Sequence, residues 1–175
     1  MFKSKTNKIT VTGVLIALGV LIPSTFHLFG QVGSIFCPMH IPVLLCGMLC
    51  GGPYGAVCGL IVPLLSALIS GMPPIYPVGV SMMLELATYG LVAGIAYPKM
   101  KKIYPALITA MLAGRAVYGV VNTILYGVAG NGYSLELFVS GAFITAFPGI
   151  VIQLVLIPVL ITALKRAAVF RPDAD

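Results

Sequence analysis

GMPPIYPVGVSMMLELATYGLVAGIAY, residues 71–97, opens as a proline-rich loop and continues as an apolar run with one acid inside it. The run holds about 20 apolar residues, the length that crosses a bilayer. Glu85 lies well inside it, and a second apolar run, 105–128, carries Arg115 at comparable depth. A charge at membrane depth costs roughly 3 kcal/mol on insertion scales. Two of them are tolerated where they pair, face water or meet a polar ligand. The remaining sequence therefore reads as a holder for a polar interior.

Composition agrees. The chain is 175 residues long, 59% hydrophobic and 8% charged, with no Trp. Soluble domains average about 25% charged residues, so an integral membrane protein is expected, built as a single domain over 1–175. Its net charge of +6 does not point to nucleic acid, because the basic residues are gathered rather than spread over a face. They form three groups: Lys3, Lys5 and Lys8; Lys99, Lys101 and Lys102; and Lys165, Arg166 and Arg171. Arg115 alone stands outside them. The first apolar run is long and lacks an obvious cleavage site, so it is expected to remain as a span rather than a signal peptide.

Hydropathy and turn residues divide the chain into six spans: 9–29, 39–49, 56–70, 76–97, 104–128 and 137–164. The second is short. Gly-Gly-Pro within Cys50–Gly55 predicts a tight turn between the second and third, and Gly130–Ser134 predicts a loop between the fifth and sixth. The amino tail, the loop after span four and the carboxyl tail carry the Lys and Arg residues, while the other loops carry none. Basic loops favour the cytoplasm. The reading is thus an all-α, polytopic membrane protein with six transmembrane helices and both termini cytoplasmic, in a prokaryotic plasma membrane.

Small residues recur at the four-residue spacing that lets helix backbones approach. Gly47, Gly51, Gly55 and Gly59 form one series, which the expected turn at Gly52-Pro53 interrupts; Gly13 and Ala17, and Gly90 and Gly94, form others. Pro42, Pro63, Pro148 and Pro158 lie within apolar runs, where proline kinks a helix or opens a cavity. The four cysteines, Cys37, Cys46, Cys50 and Cys58, have only His40 and no carboxylate near them in sequence. They read as buried small hydrophobes, and neither a metal nor a cofactor is expected.

Polar residues inside the spans align by helical spacing. Ser81, Glu85 and Tyr89 follow each other at i, i+4 on one face of span four. Arg115, Tyr118 and Asn122, at i, i+3 and i+7, share a face of span five, and Gln153 lies near the middle of span six. At about 1.5 Å rise per residue, Glu85 and Arg115 reach similar depth, either as an ion pair that joins helices or as part of a ligand site. His40 opens the second span, where it is either an interfacial residue or, with Met72, Pro73 and Tyr76, part of an outward mouth.

Chemistry narrows the function classes. No G-x-x-x-x-G-K-[ST] phosphate loop occurs, so the chain is not expected to hydrolyse ATP alone. Glu85, His40 and Arg115 offer acid, base and oxyanion roles for a membrane-embedded enzyme, but HExxH, G-x-S-x-G and clustered acidic metal motifs are missing. An ion-coupled carrier, with Glu85 as the proton site, is the third class.

The string MHIPVLLCGMLCGGPYGAVCGLIVPLLSALISGMPPIYP (39–77), followed by MMLELATYGLVAG (82–94), AGRAVYGVV (113–121) and AFPGIVIQLVLIPVLITALK (146–165), resembles the substrate-binding S-components of energy-coupling factor (ECF) vitamin transporters. The resemblance covers nearly the whole chain and is nearest to the group described as pantothenate S-components, with vitamin B6, other vitamins or queuosine precursors as related alternatives. It implies a subunit that takes a small water-soluble vitamin from outside into a pocket under the loops after spans one and three. It also implies docking on a transmembrane coupling subunit with two cytoplasmic ATPases, then toppling in the bilayer to release the vitamin. The docking face would be the first span, where Gly13-Val14-Leu15-Ile16-Ala17 stands for the family's small-residue pair. The vitamin would be held by Arg115, Asn122, Glu85, Tyr118, Tyr89, Gln153, His40, Met72 and Tyr76. For pantothenate, Arg115 would take the carboxylate, Asn122 the amide or hydroxyls, and Glu85 would hold Arg115.

Overall fold

The computed structural model describes residues 4–27, 38–128 and 146–166. These residues form α1 (Lys5–His27), α2 (His40–Cys50), α3 (Gly52–Ser70), a π-helical turn (Ile75–Gly79) running into α4 (Val80–Met100), α5 (Ile103–Val128) and α6 (Phe147–Arg166). Among the described residues there are six helices and no strand. The connection 28–37, the loop expected at 130–134 and the first part of the expected sixth span lie outside them. Five helices are long and apolar enough to cross a bilayer. At 11 residues, α2 rises only about 16 Å, short of a hydrocarbon core about 30 Å thick.

The junction of α2 and α3 corrects one expectation. The chain does not turn over the whole Cys50–Gly55 segment; the break is confined to Gly51, with φ 106° and ψ 165°. That backbone conformation is open to glycine and strained for a side chain. Pro53 falls in the first turn of α3, where a missing N–H removes no helical bond. Pro42 and Pro148 likewise occupy the first turns of α2 and α6, so of the four prolines noted only Pro63 and Pro158 lie in helix interiors.

The interrupted glycine series acts as a unit after all. α4 is the central helix, packed on α3, α5 and α2. A Cβ on Gly55 would lie 2.6 Å from Gly47 Cα and from the Gly90 carbonyl oxygen, and one on Gly47 or Gly90 would meet backbone even closer. Gly52 faces Leu91 and Gly94, while Gly59 faces Leu86 and Ala87, so α3 and α4 run antiparallel in continuous backbone contact. Lipid tails supply no hydrophobic drive for helix association, and dispersion between closely fitted backbones does the work instead. Leu86, Tyr89 and Ala93 of α4 complete a buried core with Val43, Leu44 and Met48 of α2 and with Leu107 of α5. The outer surface is apolar, with Leu18, Leu64, Leu91, Leu112 and Val155 among its exposed residues.

Candidate substrate-binding site

The face expected on α4 is buried throughout: Ser81 and Tyr89 have no exposure and Glu85 retains 2%. Ser81 spends its hydroxyl on its own turn, donating to the Val78 carbonyl at 2.9 Å. Glu85 points into the bundle, where Arg115 of α5 meets it with Nη1 3.1 Å from Oε1. His40, at the first position of α2, brings Nε2 to 3.8 Å from the same oxygen. Its ring stands against Tyr89, with centroids 5.2 Å apart and planes at 60°. Three helices thus converge on one carboxylate oxygen.

Gly114 makes the meeting possible, and the sequence reading missed it. A Cβ there would lie 2.6 Å from Tyr89 Cδ1 and 3.1 Å from the Glu85 carbonyl oxygen. Without a side chain at this point α5 closes on α4 and delivers the adjacent Arg115. The signal was a series of small residues four apart, Ala106, Ala110 and Gly114, that ends beside the buried cation.

The structure also redistributes the expected set. His40 is 3% exposed and belongs to the interior cluster. Met72 and Tyr76, expected beside it at a mouth, stand exposed on the loop side. The Ser66 hydroxyl donates to the Met72 carbonyl at 2.9 Å, and Tyr76 donates to the Leu125 carbonyl at 3.3 Å. The loop after α3 is thereby tied to α3 at one end and to α5 at the other. On α5, Asn122 is buried and Tyr118 half-buried. Gln153 of α6 is 1% exposed, about 9 Å along the helix from Phe147, while Glu85 lies about 8 Å from the start of α4 at that same end.

Hydrogen-bond accounting sets this region apart. Glu85 Oε1 is paired with Arg115 by charge at 3.1 Å but has no hydrogen bond among the described residues. The same holds for both ring nitrogens of His40 and for both amide atoms of Gln153. Roughly nine in ten buried polar atoms in proteins have a partner. Here the exceptions come from the inward faces of α2, α4 and α6, and each is a strong donor or acceptor. Such an arrangement can bind a small molecule rich in hydroxyl, amide or carboxylate groups.

On α1 the helix has two different faces. Thr12, Leu15 and Val20 are buried against the bundle, with the Thr12 hydroxyl bonded to the Lys8 carbonyl at 2.7 Å. Gly13 and Ala17 lie on the exposed face, and a Cβ added at Gly13 would meet nothing within 4 Å. Among the described residues, then, this face is open at both small positions. Among the described residues no group of His, Cys, Asp and Glu is arranged to hold a metal ion.

Residues 7–161 match the family model described as ECF transporter, substrate-specific component. The chain belongs to this family. Comparison with curated proteins and with solved structures returns no significant match. ECF substrate-specific components are substrate-binding transporter subunits rather than enzymes, and they work with an ECF module of ATPases and a coupling subunit. Together with five membrane-length apolar helices, membership makes this chain a multi-pass membrane protein of substrate uptake.

Proposed function

We propose that this ECF substrate-specific component binds pantothenate and supplies it to the transporter. The observation that carries the reading is the polar cluster around Glu85, a carboxylate with a guanidinium and an imidazole beside it, in an apolar bundle that also buries the amides of Asn122 and Gln153. A guanidinium offers five N–H donors in a planar fork that suits two carboxylates at once. Arg115 can then bridge Glu85 and the substrate carboxylate. Asn122 and Gln153 match the substrate amide and hydroxyls, and Tyr118 closes one side.

In this reading α2 counts as the second of six spans, with both termini cytoplasmic. External labelling of Ile75→Cys but not of Lys102→Cys in intact cells checks that orientation. The exposed Gly13–Ala17 face is the docking surface for the coupling subunit, because its small residues are open to a partner helix.

The substrate assignment is tested by comparing pantothenate with panthenol, its alcohol analogue, on the purified protein. Strong preference for the acid is expected. Equal binding refutes the carboxylate role of Arg115 and favours a neutral vitamin such as pyridoxine.

A further inference from the structure

The opposite end of the bundle from the polar cluster holds a second site of different chemistry. The end of α4, the start of α5 and the last turns of α6 border an open cavity of about 870 Å³ lined by Lys101, Lys102, Lys165 and Arg166 together with Ile103, Pro105, Pro158 and Val159. Its volume falls in the range of about 300–1,000 Å³ usual for small-molecule sites. A neighbouring cavity of about 380 Å³ shares Lys101 and Lys165 and is walled by Met48, Leu49, Tyr97 and Ile161. Among the described residues no carboxylate lines either one. We propose that this paired cavity binds an anionic phospholipid, with the phosphate among the four cations and an acyl chain along the proline and aliphatic wall between α5 and α6.

Three features favour a lipid over a diffuse basic surface. First, α5 and α6 touch only sparsely among the described residues, and the groove between their ends is open rather than closed over. Second, one lysine side chain is held and the backbone at another is fixed. Lys165 Nζ lies 5.3 Å from the centre of the Tyr97 ring. Lys101 caps α4 in the left-handed region, φ 55°, donating its N–H to the Tyr97 carbonyl at 3.0 Å. Third, orienting a membrane protein requires only the number of basic residues at one end; it does not require them to surround a cavity. Basic pockets between helices at the cytoplasmic side are suited to anionic headgroups.

The chain contains no tryptophan, so Tyr104→Trp places a single fluorophore at the cavity wall. Full-length protein is reconstituted in phosphatidylcholine with increasing brominated phosphatidylglycerol, and quenching gives the relative binding of the two lipids. Phosphatidylglycerol should be preferred, and Lys101→Gln or Lys165→Gln should each lower the preference about fivefold, the effect of one basic residue at an anionic surface. Ala163→Leu, which fills the cavity without changing charge, should also lower it. A fluorophore at Leu68→Trp, exposed near the opposite end of α3, should report little preference. The proposal is overturned by a preference near one at position 104. It is equally overturned by a preference that survives Ala163→Leu, which would leave only diffuse attraction. Relief of quenching by glycerol phosphate in solution would make the occupant a soluble phosphate compound and refute the lipid. All the substituted side chains are at least partly exposed, and unchanged thermal unfolding of each variant certifies the fold.

Discussion

Replacing Arg115 and Glu85 separately and together distinguishes a helix-joining ion pair from a substrate site. At 3.1 Å and an effective dielectric constant of about 20, the two charges attract by about 5 kcal/mol. Both are buried, with 7% and 2% exposure, so little of this is screened. Arg115→Gln leaves the Glu85 carboxylate in the bundle beside His40, and Glu85→Gln removes the carboxylate from beside the guanidinium. Each should destabilise the protein by about 3–5 kcal/mol, the usual cost of stranding one buried charge. The double variant carries two neutral amides of similar size in contact, and its stability should return close to wild type.

Binding should not return with it. A pantothenate carboxylate that relied on the guanidinium loses about 2–5 kcal/mol, or about thirtyfold to several thousandfold in affinity. The assay is calorimetric titration of pantothenate and panthenol into detergent-solubilised protein, with thermal unfolding of the same samples. A double variant that folds and binds pantothenate within about threefold of wild type would refute the substrate role and leave the pair as a structural joint.

Two further outcomes follow from the packing. Ala17→Leu adds bulk at an exposed position of α1, so substrate binding by the isolated subunit should stay near wild type while uptake falls in cells; parallel loss of both would place α1 in the fold or the pocket. Gly90→Ala forces a Cβ into the Gly55 backbone and should cost about 1–3 kcal/mol or more by overpacking, read as a lower unfolding temperature, whereas Gly13→Ala, with open space around it, should leave that temperature unchanged.

Much of this protein follows from one-dimensional properties of its sequence. Hydropathy and length decide that most segments are membrane helices, because a bilayer sets a minimum apolar run and leaves the backbone no other way to satisfy its hydrogen bonds. Helical period decides that Ser81, Glu85 and Tyr89 share a face, since residues four apart stand one above the other. Burial of all three bears that out. The glycines of α2, α3 and α4 were legible as close-packing residues by their spacing.

Tertiary structure alone decided which of these features meet. Gly47 and Gly55 lie on different helices, and only the sharp break at Gly51 folds them onto the same stretch of α4 around Gly90. His40 could not be assigned from its place at a span end, because its role depends on how deeply α2 sits beside α4. The partnership of Arg115 with Glu85 rests on the missing side chain at Gly114, which sets how close α5 comes. Spacing along a chain fixes the face a residue shares, but the distance between two faces depends on what is absent from both helices at their crossing. That is a property of pairs of segments, and no single stretch of sequence contains it.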